Sequence, residues 1–313
     1  MRLRYLLLLS VLALPLPAQV IRVGIIGTDT SHALAFTRIL NDPSNADHVA
    51  GAKVIAAFKG GSPDIENSRN RVDKIADGLH RDWGVEIVND IPTLCSKVDA
   101  VLLESLDGRV HLEQVKQVFA AGKRVFIDKP LAASLEDARE IARLGKQHNV
   151  PWFSSSSLRY VDAVEETKVE GLRGAITWGP ASIDPTQHLD LSWYAIHPIE
   201  LLYTIMGPGC VSVHRTFTKE ADMIVGLWDD GRIGSVRGIR SGKSGYGAIT
   251  FGEDAIKQSD KAGGAYSRLM VRIVDFFRTG EPPVPNEVTL EMFAFMDAAL
   301  RSKDRGGDAV KLR

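Results

Sequence analysis

The sequence is poor in cysteine, with Cys95 and Cys210 as the two thiols among 313 residues. Neither cysteine belongs to a CxxC motif or to a cluster of cysteine and histidine, which are the usual ligand patterns of structural zinc. The pattern therefore excludes a zinc-stabilised fold, and we expect no metal centre.

The sequence also lacks an excess of charge of one sign. Its 38 Lys and Arg residues are matched by 39 Asp and Glu residues, and its apolar content of 44% is ordinary for a globular protein. A near-neutral chain offers no electrostatic footprint for nucleic acid. We therefore expect no nucleic acid as a partner.

A long apolar segment is missing as well. The apolar run at 5–16 is too short to cross a bilayer as a helix. It follows Arg2 and Arg4 and precedes Ala18, which is the layout of a secretory signal peptide. We predict a signal peptide at 1–19 and an exported protein, periplasmic or secreted, that is not membrane-bound after cleavage. An apolar arm packed on the fold is the alternative.

Mainly apolar runs alternate with helical patterns in the first half of the chain, at 20–26, 52–58, 99–103 and 124–127. Alternating strands and helices form βαβ units with a parallel sheet, and apolar strands indicate helices on both faces. We predict a Rossmann-type doubly wound parallel sheet over residues 20–155, with ligands at the carboxyl ends of its strands.

The rhythm changes in the second half. A helix is predicted at 191–206, and strand-like alternation follows at 211–217, 222–228, 233–240 and 247–251. Two helical patterns close the chain. Residues 156–313 are therefore predicted to form an α+β domain with an open, largely antiparallel sheet.

The turn after the first strand has features of a phosphate-binding loop, because the N-terminus of a helix presents free N–H groups. Gly27 fills the first place of a G-x-G-x-x-G fingerprint, whereas Asp29 and His32 hold the other two. The predicted cofactor contacts in this turn are Gly27, Thr28, Asp29, Thr30 and Ser31. An ordinary capped turn that binds nothing is the alternative.

Further cofactor contacts are predicted at later strand ends. Lys59 follows the second strand, where it could meet a 2′-phosphate together with Ser62 and so favour NADP. A solvated lysine is the alternative there. Glu104 and His111 follow the next apolar strand and are candidates for the same cleft.

An apolar strand also delivers Asp128, Lys129 and Pro130 to the carboxyl edge of the sheet. A lysine at this edge can bind a substrate hydroxyl or polarise a carbonyl. We predict Lys129 as a catalytic residue that also contacts the cofactor. The alternative is a surface pair between Asp128 and Lys129.

A histidine marks the start of the helix in the second half. Trp193, His197 and Glu200 recur at helical spacing, and Pro198 suggests that the helix proper begins near His197. A histidine beside a cleft suits a general base, and a structural core histidine is the alternative. We predict His197 as catalytic and Arg159, Tyr194 and Glu200 as substrate-binding.

At these residues the chain resembles the Gfo/Idh/MocA family of oxidoreductases, which includes glucose–fructose oxidoreductase and inositol dehydrogenase. The resemblance is carried by Ile21–Gly27, by Ala121–Leu131 with its AGK…DKP-L signature, and by the helix around His197 that leads to Met206 and Gly207. It extends over nearly the whole chain that follows the predicted signal peptide.

The resemblance implies NAD or NADP, and a sugar, cyclitol or related polyol as substrate. It implies Lys129 as the active-site lysine, often followed by a cis proline, and His197 as the proton-transfer histidine. It also implies a homo-oligomer formed through the C-terminal sheet. Many members carry an acid where this chain has Trp193.

Two other functions stay open at this point. An exported relative could retain its cofactor and cleave a glycosidic bond through transient oxidation. Alternatively, the chain could be a carbohydrate-binding protein that has lost its cofactor, an idea prompted by Asp29.

Overall fold

The computed structural model describes residues 19–187, 189–263 and 266–313. The predicted signal peptide lies, apart from Gln19, outside the described residues. Among the described residues, no helix is both long enough and apolar enough to cross a membrane. Cys95 and Cys210 are buried free thiols.

The first half of the chain forms a six-stranded parallel sheet with the order β3-β2-β1-β4-β5-β6. Its strands are β1 Ile21–Ile26, β2 Ala52–Phe58, β3 Glu86–Val88, β4 Ala100–Leu103, β5 Arg124–Ile127 and β6 Trp152–Ser154. Its helices are α1 Ser31–Asn41, α2 Glu66–Arg69, α3 Val72–Trp83, α4 Ile91–Lys97, α5 Gly108–Ala120 and α6 Leu135–His148. The predicted doubly wound Rossmann architecture is confirmed.

The sequence explains where these helices start. Asp90, Asp107 and Ser134 cap α4, α5 and α6 by accepting hydrogen bonds from backbone N–H groups of the first turn. The short apolar strand β4 is buried along its whole length, as a strand covered by helices on both faces must be.

The strand order brings the ends of β1, β4 and β5 together, because β1 pairs with β4 and β4 pairs with β5, all in parallel. Gly27, Glu104 and Asp128 follow these three strands directly. The strand order also reverses beside β1, which is where open parallel sheets bind their ligands.

The second half forms a seven-stranded sheet with the order β12-β11-β7-β10-β9-β8-β13. A 3₁₀ turn, Ser157–Tyr160, and α7 Asp162–Glu166 lead into β7 Gly174–Pro180, α8 Ile196–Met206, β8 Cys210–Phe217, β9 Ala221–Trp228 and β10 Ile233–Ile239. The remaining elements are β11 Gly247–Phe251, β12 Ile256–Ser259, α9 Tyr266–Thr279, α10 Asn286–Asp304 and β13 Val310–Lys311. Neighbouring strands are antiparallel except β7 and β10, which confirms the largely antiparallel sheet.

Helix α8 begins later than the predicted range of 191–206, near the position that Pro198 suggested. It starts at Ile196, with Pro198 in its first turn, where proline is tolerated because its missing N–H has no intrahelical partner to lose. Trp193 and Tyr194 lie in the preceding turn. The prediction that Trp193 shares a helical face with His197 and Glu200 is therefore wrong.

Helix α9 packs on the Rossmann sheet, although it belongs to the second half of the chain. It shares one buried cluster with strands β1 and β2 and helix α1. The residues that α9 contributes to this cluster are Leu269, Met270, Ile273, Val274, Phe276 and Phe277. The Rossmann core is thus completed by residues beyond position 156.

Candidate functional site

A cavity of about 1020 Å³ opens where the carboxyl edge of the Rossmann sheet faces the second half of the chain. We call it the central cavity. Ligand pockets commonly occupy about 300–1,000 Å³, so it has room for a large ligand. Its lining includes Thr30, Ser31 and His32 from the start of α1, Asn67 and Arg71, Asp128 and Lys129 after β5, and Ser156, Trp193, Tyr194, His197, Tyr246 and Tyr266.

Lys129 reaches this cavity from the end of β5. Its peptide bond to Pro130 is cis, as the resemblance implied. The Nζ atom lies 5.8 Å from the ring centroid of Tyr194, within the range of a cation–π contact. The structure therefore brings two of the predicted site residues together.

His197 lies in the first turn of α8 and also lines the cavity. Its Nδ1 atom is 2.7 Å from Oγ of Ser156, and its ring meets Tyr194 and Tyr246 edge-on. Burial, followed by the nearby charge of Lys129, holds the pKa of His197 well below its usual value. The imidazole is therefore neutral at pH 7 and can accept a proton.

Glu200 supports this histidine rather than lining the cavity. Its carboxylate accepts hydrogen bonds from Oγ of Ser155, at 3.0 Å, and from the backbone N–H of Ser156, at 2.6 Å. It also pairs with Arg159, whose Nε lies 2.9 Å from Oε1. Of the three predicted substrate-binding residues, the structure brings Tyr194 to the cavity and places Glu200 and Arg159 behind Ser156.

A second polar cluster lies at the start of α1. Nδ1 of His32 is 2.6 Å from Oδ2 of Asp128, and Nε2 of His32 is 2.9 Å from the hydroxyl of Tyr266. Asp128 is only 2% exposed. The alternative of a surface pair between Asp128 and Lys129 is thereby excluded, because the carboxylate faces inward to His32.

Glu104 lies beneath this cluster and is fully buried. Neither carboxylate oxygen has a hydrogen-bond partner in the described part of the chain. Burial, followed by the charge of Asp128, raises the pKa of Glu104 well above its usual value. The predicted cofactor contact at Glu104 is not supported, because its side chain does not reach the central cavity.

One atom each from His32, Glu104 and Asp128 lie within 4.8 Å of one another. Such a group could ligate a cation, although a metal site was not expected. The short contact between His32 and Asp128 already uses one ligand atom from each. A hydrogen-bonded chain therefore accounts for the geometry of these two residues.

Gly27 and Asp29 shape the turn after β1, which carries the partial G-x-G-x-x-G fingerprint. Gly27 has φ +94°, and a Cβ atom there would meet the backbone N of Ser105 at 2.3 Å, so only glycine fits. Asp29 is fully buried and accepts from Oγ of Ser68, at 2.6 Å, and from the N–H of Leu106, at 3.1 Å. Its carboxylate is thus turned into the protein, away from the cavity.

Thr30 and Ser31 face the cavity at the N-terminus of α1. Thr30 occupies the N-cap position, but its side chain makes no capping hydrogen bond. Its Oγ1 atom is buried and has no partner among the described residues. An orphan hydroxyl beside free helix N–H groups fits a phosphate group, so the residues present fit a nucleotide.

The other predicted cofactor contacts lie outside the cavity lining. Thr28 donates its hydroxyl to the carbonyl of Val72 at 2.8 Å. His111 is buried, and its ring nitrogens lie 3.2 Å and 2.8 Å from the carbonyl oxygens of Leu131 and Ser105. These two side chains stabilise the fold, and the structure does not bring them to a ligand.

Lys59 and Ser62 are also engaged elsewhere. Nζ of Lys59 lies 2.8 Å from Asp73, and Oγ of Ser62 donates to Asp107 at 2.6 Å. The predicted 2′-phosphate contact is therefore not supported, since both side chains already have partners away from the cavity.

Sequence reasoning missed several residues of the cavity. Ser156, Tyr246 and Tyr266 line it, but they come from a loop after β6, a loop before β11 and the start of α9. Their positions depend on tertiary packing, which no local pattern signals. His32 did carry a signal, because it occupies a fingerprint glycine position.

Comparison with known proteins agrees with the fold. A family model described as "Oxidoreductase family, NAD-binding Rossmann fold" matches residues 21–155. Inositol 2-dehydrogenase 3 of Saccharopolyspora erythraea is 32% identical over 127 residues, or 39% of this chain and 31% of that protein. The uncharacterized protein YMR315W of Saccharomyces cerevisiae is 28% identical over 232 residues, or 66% of this chain and 62% of that protein. The chain thus spans less than two thirds of the curated relatives it matches.

Solved structures match over a greater length. Scyllo-inositol dehydrogenase from Lactobacillus casei, crystallised with NAD(H) and scyllo-inositol, has a TM-score of 0.74 at 16% identity, covering 94% of this chain and 99% of that one. Myo-inositol 2-dehydrogenase from Lactobacillus plantarum has a TM-score of 0.73 at 16% identity, covering 94% and 99%. At such identities, the match shows a shared two-domain fold.

Proposed function

We propose that this chain, whose residues 21–155 match an oxidoreductase family with an NAD-binding Rossmann fold, oxidises a hydroxyl group of a polyol or sugar with a nicotinamide cofactor. The proposal rests on one observation: the neutral His197 and Lys129 line the same cavity, at the N-terminus of α1. A base and a cation at one site are what alcohol oxidation requires.

The proposed cofactor site lies at the start of α1. Thr30 and Ser31 would hold the phosphates, and Arg71 would face a further anionic group. When bound, the nicotinamide would supply the hydride acceptor. Because Lys59 is paired with Asp73, we propose NAD rather than NADP.

In the proposed reaction, His197 is the base that acts on the substrate. With Nδ1 directed at Ser156, the Nε2 atom is the base that takes the hydroxyl proton as the C–O bond becomes C=O. Lys129 donates a hydrogen bond to the same oxygen and stabilises the negative charge that develops there. This role requires the Nδ1–H tautomer, in which Nδ1 donates to the hydroxyl oxygen of Ser156.

A polyol or sugar suits the cavity for two reasons. Its lining combines hydroxyl, imidazole and ammonium groups with the aromatic rings of Trp193, Tyr194 and Tyr246, which can bind the polar and apolar faces of a hydroxylated ring. The similar solved structures include a scyllo-inositol dehydrogenase and a myo-inositol 2-dehydrogenase.

The test is to identify the nucleotide released from the denatured protein by mass spectrometry, and then to follow NADH formation with scyllo-inositol, myo-inositol and a sugar panel. Lys129→Ala and His197→Ala are expected to lose at least about a hundredfold in rate. Lys59→Ala is the matched control and should keep its rate, since Lys59 lies outside the cavity.

Other outcomes separate the alternatives. Tightly bound NAD(H) without net turnover would favour a cofactor-retaining, glycoside-cleaving enzyme. A protein that ignores both NAD and NADP would refute the oxidoreductase and favour a carbohydrate-binding protein.

We also propose that the C-terminal sheet forms a homo-oligomer. Leu227 pairs with Ile233 on β10 and with Ser212 on β8, so these residues share one face of the sheet. Leu227 is 43% exposed and Ile233 is 55% exposed. Light scattering after size exclusion would test this, with Leu227→Glu and Ile233→Glu expected to give monomers.

Export remains part of the proposal and rests on the composition of residues 1–19. N-terminal sequencing of the protein recovered from the periplasm or the medium should find a start near Gln19 or Val20. An uncleaved chain in the cytoplasm would contradict it.

A further inference from the structure

Three side chains from separate elements form a continuous hydrogen-bonded chain at the central cavity. The hydroxyl of Tyr266, at the start of α9, lies 2.9 Å from Nε2 of His32 in α1. Nδ1 of His32 lies 2.6 Å from Oδ2 of Asp128, after β5. All three side chains line the cavity, so this hydrogen-bonded chain lies where a ligand could contact it.

The proton positions follow from the partners. Asp128 is buried and accepts, so Nδ1 of His32 carries the proton. In the neutral imidazole Nε2 then carries a lone pair, to which the hydroxyl of Tyr266 donates. The phenol oxygen therefore keeps its acceptor capacity for a ligand hydroxyl, which is the general logic of a nucleophile, a base and an orienting carboxylate.

The imidazole is also held in place by aromatic rings. Phe36 stacks on His32 with ring centroids 5.2 Å apart, and Tyr266 meets its edge at 5.1 Å. Phe36 and Tyr266 contact each other in turn. Such packing fixes the ring orientation that a proton-transfer chain needs.

His197 already provides the base, and Lys129 the cation, for the hydroxyl group whose carbon is oxidised. We propose that Tyr266, with His32 and Asp128 behind it, is a second proton-transfer residue that acts on another hydroxyl group of the same ligand. This inference rests on the proposed function for the identity of the ligand as a polyol or sugar.

The proton balance is simple. The ligand O–H bond breaks and its proton goes to the phenol oxygen of Tyr266, while the phenolic proton moves to Nε2 of His32. The resulting imidazolium is stabilised by the carboxylate of Asp128, and the ligand carries an alkoxide. The reverse sequence returns the proton, so no oxidant or reductant is needed.

The first test needs no turnover. In protein with ¹⁵N-labelled histidine and no ligand, NMR should show His32 protonated at Nδ1, with a far-downfield proton. Asp128→Asn should move the proton to Nε2, because an amide can donate to Nδ1. Adding scyllo-inositol or myo-inositol as the probe should shift the ring nitrogens of His32 in the wild type.

The second test uses NADH formation. Tyr266→Phe should lower kcat about a hundredfold, with KM changed less than threefold. Tyr160→Phe is the matched control, because its hydroxyl lies outside the cavity lining and has no partner among the described residues. It should leave kcat unchanged.

Three results would overturn the proposal: a proton on Nε2 of His32 in the wild type, an unchanged kcat in Tyr266→Phe, or a divalent cation bound by His32, Glu104 and Asp128 whose removal with EDTA abolishes activity. If the wild type binds no nucleotide and has no turnover, the proposed function fails. The probe-induced shift at His32 then decides this inference alone, since an unmoved ring would refute it.

Discussion

The hydroxyl of Ser156 lies 2.7 Å from Nδ1 of His197. The same serine is held from behind, because its backbone N–H donates to Glu200 at 2.6 Å. The contact leaves Nε2 of the histidine as the atom available for proton transfer. Ser156 thus contacts the base on its Nδ1 side.

Ser156→Ala should therefore lower kcat about tenfold, since a lost hydrogen bond is worth about 1 kcal/mol and tenfold in rate corresponds to about 1.4 kcal/mol. KM should change little, because the serine orients the base rather than the substrate. Ser182→Ala, which lies on the same cavity, is the control and should match the wild type. Equal kcat values for all three proteins would remove Ser156 from the mechanism.

Lys129→Met should raise the pKa of His197. Burial is the larger cause of the depressed pKa, and the charge of Lys129 is the next, so the pKa should rise but stay below its usual value of about 6.5. An NMR titration of the imidazole measures it. A pKa that does not move would show that the two groups are further apart in solution than in this structure.

Asp29→Ala should destabilise the protein by about 2 kcal/mol, because Oγ of Ser68 and the N–H of Leu106 lose their acceptor in a buried site. Asp29→Asn should cost less, since its amide oxygen can still accept from one donor. Urea denaturation of the three proteins gives the ranking. Wild-type stability in Asp29→Ala would mean that the buried contacts are not formed.

Glu104→Gln should become more stable than the wild type as the pH rises. The folded pKa of Glu104 is raised, first by burial and then by Asp128. Its contribution to the free energy of unfolding is therefore complete below the unfolded pKa of about 4.3 and is lost as the pH rises through the folded pKa. The neutral glutamine does not incur this loss.

The measurement is the free energy of unfolding of both proteins at pH 5 and pH 8. The difference in favour of Glu104→Gln should grow between the two by about 1.4 kcal/mol for each unit of raised pKa within that window. The control Glu113→Gln changes an exposed residue paired with Lys116 and should show no such trend. A constant difference for Glu104→Gln would contradict a protonated Glu104.

The fold was predictable from the sequence because its signals are local. Apolar runs followed by turn residues mark β1, β2, β4 and β5, and each lies within a residue or two of its predicted position. The start of α8 was harder to predict, because Trp193 has helical spacing to His197 and yet lies in a turn before the helix begins at Ile196.

The candidate site was predictable only in part. Lys129 and His197 carry local signals and line the cavity together. The sequence could not show that Asp29 turns inward to Ser68, because that contact joins segments far apart in the chain. The contact between Tyr266 and His32 also joins distant segments. No local pattern therefore marks Tyr266 as a residue of the site.

The packing of α9 on the Rossmann sheet has a consequence for how the chain folds. The amino-terminal sheet is synthesised first, yet one side of its core is closed by Phe276 and its neighbours, near the other end of the chain. A nascent chain that ends after β6 exposes this apolar side. The nucleotide-binding half is therefore completed only after synthesis has passed α9, so that folding is late and depends on contacts of long sequence separation.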